Sequence, residues 1–512
     1  MATDRVTVIG AGIAGLVAAL ELGARGCAVT LVERAAGPGG KMREVAVGET
    51  RLDAGPTVLT LRGIFDEIFA TAGGSLDAAV TLKPLAILAR HAWDEGGRLD
   101  LFADRDRSAD AIGAFAGPAE GRRYLEFCAA AKRIFETLDQ PFIRADRPSM
   151  FGLISAFGPR RMGQLVHTQP FETMWNALGR HFHDPRLRQL FGRYATYVGS
   201  SPFLAPATLM LIAHVEQEGV WQVEGGIHRL AAAMADLARA NGADVRYGAE
   251  AAEVVLERGA VAGVRLASGE RIAADAVVVN GDAAAVASGR LGPAITTAVP
   301  RTAPAARSLS AVTWLLHAAA EGFPLHHHNV FFSNAYRSEF DDVLRHGRLP
   351  RTPTVYVCAQ DRGDDGVGIT GRERLFCLVN APPTGDVRPL PGAEIEACAE
   401  RAFGLLQRCG LTVHREPEAT RMVTPTDFDA LFPATGGALY GKASHGWKAS
   451  FDRPGVRTRI PGLYLAGGSV HPGPGVPMTA LSGRMAAAAL VADLASTGRS
   501  RRAATSGGTS TR

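Results

Sequence analysis

The sequence predicts an α/β fold in which a parallel sheet is assembled from both ends of the chain and carries mixed-sheet and helical insertions. Three observations lead there. Near the N-terminus the apolar run Val6–Ile9 meets Gly10-Ala11-Gly12-Ile13-Ala14-Gly15, an amphipathic stretch to about Ala24, and a second run, Ala28–Val32, closing on Glu33. Near the other end, Leu463–Ala466 runs into Gly467-Gly468 and then, past Pro477, into an alanine-rich helical stretch. Between them lie helical patterning from Ala109 to about Glu216 and alternating apolar runs after Asn241.

With 512 residues the chain exceeds what one core usually holds, so more than one domain is expected. A composition of 46% hydrophobic and 21% charged residues describes a folded globular protein. The net charge of +4, carried mostly by dispersed arginines, is too small to argue for nucleic acid. The six cysteines have no metal-like spacing, which predicts reduced thiols in a cytoplasmic protein. The apolar N-terminal run looks like a secretion signal, but its glycines fall where a nucleotide fold needs them, so it is read as strand and helix. For a membrane span the nearest window, Met478–Ala495, contains Arg484 and Asp493.

In the N-terminal unit each part has a physical task. Gly10 allows the tight turn, Gly12 lets backbone approach a pyrophosphate, and Gly15 permits close packing of helix on strand. The helix N-terminus offers unpaired N–H groups and partial positive charge to the phosphates. Glu33 is spaced to accept hydrogen bonds from an adenosine ribose. This is a Rossmann-like dinucleotide site, and the motif by itself does not choose between NAD and FAD. Gly39-Gly40-Lys41 and then Asp53, Gly55, Pro56 and Thr57 follow. Read alone, the glycine pair is an ordinary turn. Arg43 reads either as a charge toward the pyrophosphate or flavin, or as a solvated side chain.

A helix over Gly63–Ala72 and a hairpin turning at Asp94–Gly97 come next. The stretch from Arg160 to Arg193 is basic and amphipathic, with apolar residues Trp175, Leu178, Phe182, Leu187, Leu190 and Phe191. It reads as a core face with a solvated back or as a surface lying on membrane. Gly225-Gly226 precedes a helix stopping at Asn241-Gly242, and a meander with turns at Arg258-Gly259 and Ser268-Gly269 ends in a buried strand, Ala276–Asn280. Further strands and a helix, Ala393–Cys409, occupy residues 300–415. His326-His327-His328 has no supporting carboxylate or cysteine cluster in sequence, so it is read as a surface or pocket-lining tract and no metal is expected. The tail from Thr497 is low-complexity and expected to be disordered.

At the C-terminal end, Gly467 and Gly468 let backbone pass close to a flat ligand, and Pro477 suits a first helical turn, where its missing N–H costs nothing. That helix would aim its positive end at the ligand.

Taken together, these two end motifs, the central "RYATYVGSSPFLAPATLMLIAHVEQEGVW" and "FPATGGALYGKASHGW" resemble the bacterial carotenoid desaturases of the phytoene-desaturase type, over most of residues 1–495. Phytoene desaturases proper tend to read THPGAGIP at the closing motif. Here "SVHPGPGVPM" and "LSG" are more similar to the 1-hydroxycarotenoid 3,4-desaturases, or methoxyneurosporene dehydrogenases. The resemblance implies an amine-oxidase-type fold with FAD as cofactor. Its contacts would be Gly10, Gly12, Gly15, Glu33, Gly39, Gly40, Lys41, Arg43, Gly55, Pro56, Thr57, Val254, Gly467, Gly468, Gly475, Val476, Pro477 and Met478. Val254 reads equally as a wall against the adenine and as core packing. The organisation implied is an FAD-binding domain from residues 1–90, 222–299 and 415–496, a largely helical substrate and membrane-docking region at 91–221, and a substrate-domain sheet at 300–414.

The reaction implied is C3–C4 desaturation of a 1-hydroxylated acyclic carotenoid by an enzyme lying peripherally on the inner or photosynthetic membrane. Alternatives are a desaturase of unhydroxylated phytoene or neurosporene, a polyene isomerase or saturase using reduced flavin, and a non-catalytic flavoprotein. His471, beside the expected flavin, is the first candidate base, with His445 and Tyr440 next, and a base-free pocket is the alternative. The electron acceptor is left open.

Overall fold

The computed structural model describes residues 4–146, 168–363, 369–449 and 451–506. A parallel five-stranded sheet forms from distant segments in the order Leu463–Leu465, Ala276–Val279, Arg5–Ile9, Ala28–Glu33, Asp244–Tyr247. Val277, Val278 and Val279 are each at most 1% exposed, as strands covered on both faces must be. The helix Ile13–Ala24 covers one face with residues that are apolar nearly all round. Against it lies the helix that begins at Val476. The contact is close because Gly483 has no side chain: a Cβ there would sit 2.3 Å from the Ala14 carbonyl oxygen. Arg484, on the same helix, pairs with buried Glu21 at 2.8 Å and with Glu67 at 2.5 Å.

This C-terminal helix is long and apolar enough to cross a membrane by length and composition, with 44% of its apolar window buried in the fold. It runs to Ser506, into the tail whose composition points to disorder; its alanines and arginines are good helix formers that extend a helix already nucleated in the core. Residues 507–512 lie outside the described residues.

The first strand after Asn241 differs from the expected meander. Asp244–Tyr247 joins the parallel sheet as its edge, and the antiparallel unit comprises only Ala251–Glu257, Ala260–Leu266 and Arg271–Ala273. Its first turn falls at Arg258-Gly259, where both residues have positive φ, the requirement of a two-residue hairpin loop.

A second, eight-stranded sheet is mixed. Its long strand Ser310–Glu321 pairs with Arg372–Ala381, followed by Val355–Ala359, His328–Phe332 and the hairpin Ile87–Trp93 and Arg98–Phe102. The hairpin, read from its turn alone, therefore belongs to a sheet whose other strands lie more than two hundred residues away; His328–Phe332 receives it in parallel.

The helical layer includes Arg105–Ala116, Pro118–Leu138, Met174–His181 and Pro185–Gly192. Asp104, Thr173 and Asp184 accept from the first backbone N–H groups of three of them, and proline opens two, the expected helix-start chemistry. Leu178, Phe182, Leu187, Leu190 and Phe191 all pack into one core cluster. The amphipathic stretch thus spends its apolar face inside the protein. The expected 160–167 part of it lies outside the described residues.

Candidate functional site

A cavity of about 1030 Å³ runs from the glycine turn of the parallel sheet to the face of the mixed sheet. Its dinucleotide end is lined by Gly10, Gly12, Glu33, Gly39, Gly40, Lys41, Arg43 and Ala249–Ala252. The glycines are required there by contact. A Cβ on Gly12 would lie 2.8 Å from Asn280 Nδ2, and one on Gly15 would lie 2.0 Å from the Gly10 carbonyl oxygen. Gly15 does not line the cavity; it seats the helix on the strand, as its spacing implies. Asn280, at the end of the buried strand Ala276–Val279, donates from Nδ2 to the Gly10 carbonyl at 3.1 Å and holds the turn.

Glu33 sits at the cavity wall. Its carboxylate accepts from the Ala11 N–H at 2.7 Å and the Ala35 N–H at 2.8 Å, which fixes its plane and leaves further lone pairs for a ligand hydroxyl. Behind the wall Asp53 accepts from the Ile227 and His228 N–H groups at 2.7 and 3.1 Å and so ties the Gly225-Gly226 turn to the strand leading into Gly55. Burial pushes its carboxyl up from the usual range, and these amide bonds pull it back down. A Cβ on Gly55 would sit 1.7 Å from the Lys41 carbonyl oxygen, so the two loops are in backbone contact.

Gly55, Pro56, Thr57, Lys41 and Arg43 line the middle of the cavity. The Lys41 ammonium donates to the Leu439 carbonyl and lies 5.2 Å from the Phe432 ring centroid, with burial lowering its pKa. Arg43 carries two buried guanidinium nitrogens, Nε and Nη2, with no hydrogen-bond partner among the described residues. From the C-terminal motif Gly467, Gly468, Gly475 and Val476 line the cavity, together with Pro474 and Thr479. Pro477 and Met478 do not; they lie in the first turn of the helix, whose N-terminal end faces the cavity through Val476 and Thr479.

Three expected side chains are elsewhere. Val254 is fully buried in the core and donates its N–H to the Leu291 carbonyl at 3.0 Å, so it is a packing residue that stands behind Ala251 and Ala252. His471 is turned away from the cavity: its Nε2 lies 2.9 Å from the Phe142 carbonyl and its ring meets the Phe142 ring edge-on at 5.2 Å. His445 Nε2 accepts from the Ser201 N–H at 3.1 Å and lines no part of the cavity. Tyr440, the remaining candidate, does line it.

Of the surface and pocket-lining positions expected for the histidine tract, the structure shows the second. His327 and His328 are buried, and with Cys358 they bring three donor atoms within 4.8 Å of one another. His328 Nδ1 is 2.7 Å from the Tyr356 hydroxyl, and His327 lines a second, small cavity.

Burial pushes both His471 and His445 down to about 4. Unfolded imidazoles titrate near roughly 6.5, so unfolding takes up protons below that pH. Their contribution to stability is therefore complete above about pH 6.5 and is lost as pH falls toward the folded value. The melting midpoint is expected to drop across that window, and to drop less in His445→Gln, which keeps an acceptor for the Ser201 amide. Equal slopes in thermal melts of the two proteins would remove His445 from this account.

Several residues that hold the site were not marked by any sequence pattern. Arg453 is buried and donates to the carbonyls of Tyr440, Lys442 and Gly468 at 3.0, 2.8 and 3.2 Å, clamping "GALYGK" to the glycine turn; burial lowers it to about 10. Ser482 accepts from the Gly467 N–H at 3.0 Å, and Ser469 from the Ala283 N–H at 3.0 Å. At the far end, Arg193 lies 5.3 and 5.2 Å from the Tyr197 and Tyr356 ring centroids. Buried Glu216 accepts from the hydroxyls of Tyr194 and Tyr197. Thr57 Oγ1 and the Tyr356 hydroxyl are 2.7 Å apart, linking the loop after Gly55 to this chamber.

The profile of the flavin-containing amine oxidoreductases matches residues 13–491. The chain belongs to this family. Within it, the sequence is 56% identical to a hydroxyneurosporene desaturase of Rubrivivax gelatinosus over 511 residues, covering 100% of this chain and 97% of that protein. It is 45% identical to a hydroxyneurosporene desaturase of Cereibacter sphaeroides, covering 97% and 99%. Among solved structures, an oxidoreductase from Methanosarcina mazei shares the fold with a TM-score of 0.60 at 18% identity, over 94% of this chain and 99% of that one.

The family's cofactor is FAD, and this cavity fits it. The Gly12 and Gly40 backbones form a cradle in which a Cβ on Gly40 would lie 3.2 Å from Gly12 Cα, Glu33 keeps acceptor capacity, and Arg43, with two buried nitrogens left without a partner among the described residues, lines the same space.

Proposed function

We propose that this protein is an FAD-dependent desaturase that introduces a C3–C4 double bond into 1-hydroxylated acyclic carotenoids. The observation that carries the reading is full-length identity of 56% to a hydroxyneurosporene desaturase, joined to a single cavity that begins at the dinucleotide cradle and ends in an aromatic chamber. FAD, when bound, supplies a two-electron acceptor for hydride. Gly10, Gly12, Glu33, Gly39, Gly40, Lys41, Arg43 and the Gly467–Val476 turn are the residues we assign to holding it.

In the overall change one C–H bond at C4 and one at C3 break, the electron pair leaves with the C4 hydride, and a C3=C4 π bond forms as C3 gives up a proton. Positive charge left at allylic C4 is spread along the polyene, so the adjacent proton is acidic and needs only a weak acceptor. That is compatible with a chamber reached by neither His471 nor His445. The chain's contribution is placement and exclusion of water: Val58, Tyr356, Phe376 and Leu378 line the walls, and Arg453 fixes the loop carrying Tyr440 against the glycine turn.

The decisive experiment is incubation of the FAD-loaded protein with 1-hydroxyneurosporene in liposomes, followed by chromatography. A longer-wavelength product is expected. Activity confined to phytoene would overturn the reading.

A lipid-soluble substrate also asks for a membrane-facing surface. Phe171, Leu204 and Trp447 are 77%, 46% and 37% exposed. The Phe171 and Trp447 rings meet at 5.4 Å, the Gly446 N–H donates to the Leu204 carbonyl, and the Lys448 ammonium lies over Trp447. Meanwhile Arg180 and Arg186 are paired with Glu172 and Asp184, and Arg193 faces the cavity. We therefore assign peripheral docking to this apolar patch with its flanking cation. Replacing Phe171 and Trp447 together by aspartate is expected to shift the protein from anionic vesicles to the supernatant in a flotation assay; undiminished flotation would rule the patch out.

A further inference from the structure

The chamber contains a polar corner that hydride transfer along a hydrocarbon does not require. The helix Tyr336–Leu344 turns Tyr336 and Glu339, three residues apart and so on one face, toward the cavity, which both line. Tyr336 is 5% exposed and packed among Trp175, Phe203, Phe332 and Phe340, yet its hydroxyl has no hydrogen-bond partner among the described residues. Glu339 is fully buried. Its carboxyl accepts from the Thr354 N–H at 2.9 Å and from Asn380 Nδ2 at 2.7 Å, and no ion pair holds it among the described residues. Thr354 and Asn380 line the same cavity, so the corner is built from the helix and from one face of two neighbouring strands of the mixed sheet.

Buried polar groups are kept paired because an unpaired one forfeits its hydration. A buried phenol without a partner in a residue that lines the cavity, beside a carboxyl oriented by two fixed donors, is complementary to a ligand group that both donates and accepts. An alcohol hydroxyl is such a group. A hydrocarbon is not.

We propose that Tyr336 and Glu339 form the subsite that recognises the C1 hydroxyl of the carotenoid substrate and thereby distinguishes the hydroxylated end from a bare hydrocarbon end. The proposal rests on the hydroxycarotenoid reading above and adds to it the residues that read the hydroxyl. The phenol stays protonated, since burial raises its pKa well above the usual value, and offers an O–H donor. Burial also lifts the Glu339 carboxyl to about 7, against the pull of its Thr354 and Asn380 bonds, so its oxygens either accept from or donate to the alcohol. Because C1 is only two bonds from C3, anchoring the hydroxyl also fixes the reacting carbons, and a substrate lacking it would leave both groups unpaired.

The test is the ratio of kcat/KM for 1-hydroxyneurosporene to that for neurosporene in the FAD-loaded wild type, Tyr336→Phe and Glu339→Gln, each checked for flavin content per chain. The wild type is expected to favour the hydroxylated substrate. Tyr336→Phe, which removes one oxygen and keeps the ring, is expected to lower the ratio roughly three- to tenfold, chiefly through KM, the scale of one neutral hydrogen bond. Glu339→Gln keeps an acceptor for the Thr354 amide but loses the carboxyl, and should lower the ratio too. A wild-type preference that survives in both variants overturns the subsite while leaving the hydroxycarotenoid reading intact. A wild type with no preference overturns both.

Discussion

Gly12→Val is expected to give a folded protein that retains less than about a tenth of the wild-type flavin. Gly12 itself has φ −70° and ψ 171°, a conformation any residue adopts, so backbone strain is not the cause. The loss comes from space: the first added carbon would lie 2.8 Å from Asn280 Nδ2, and the further methyls would occupy the cradle between Gly12 and Gly40. The amide can rotate away, at the cost of its bond to the Gly10 carbonyl, so the sheet survives while the pyrophosphate loses its approach to backbone. Absorbance of bound flavin per chain checks this, with circular dichroism to confirm the fold. The melting midpoint should be compared with that of wild-type apoprotein, because the holoprotein is stabilised by its ligand. A fully yellow Gly12→Val protein would refute the cradle. Gly15→Val makes a useful contrast: its Cβ would meet a backbone oxygen at 2.0 Å, which nothing short of moving helix from strand relieves, so this change should impair folding before it impairs binding.

What could be read from the sequence was what the backbone demands locally. Gly10, Gly39 and Gly467 are set by positive-φ turns and Gly15 by its approach to Gly10, all within a few residues, and the apolar runs on either side fix strand and helix by their periods. Gly12 is legible through its place in the motif, although the contact that requires it comes from distant Asn280. The side chains that close the site answer instead to long-range packing. Arg453 and Arg193 look alike in an arginine-rich chain; only the fold aims one at three carbonyls and sets the other beside two tyrosine rings.

The same limit explains the histidines. His471 sits in sequence between Ser469 and Pro474, which both line the cavity, but Phe142 from the helical layer captures its ring. Likewise nothing local in the histidine tract reveals Cys358 and Tyr356, which arrive on the neighbouring strand of the mixed sheet. The resemblance of whole motifs reached further than periodicity because those motifs embed long-range constraints that no single segment shows.

Gly483→Ala is expected to lower stability by about 1–3 kcal/mol, the range for overpacked interiors, and to weaken flavin retention as well. One methyl suffices, since its carbon would lie 2.3 Å from the Ala14 carbonyl oxygen and 3.0 Å from Val17 Cβ. Neither contact is the end of a flexible side chain. Relief therefore requires the C-terminal helix to move away from Ile13–Ala24, and three features oppose that movement. Arg484 is tied to Glu21 and Glu67, Ser482 holds the Gly467 N–H, and the strand Leu463–Leu465 is locked in the parallel sheet. Movement would then be concentrated at the start of the helix, where Gly475, Val476 and Thr479 border the cavity. Alanine is the better helix former by about 1 kcal/mol, so propensity alone predicts stabilisation, and the two effects have opposite signs. Thermal melts of the apoprotein separate them: a midpoint at or above wild type would mean that the helices can part freely and that the two ends of the chain are coupled only through the sheet. A lowered midpoint with faster flavin release would place the coupling in the helix pair itself, making Gly483 a cofactor determinant that never touches the cofactor.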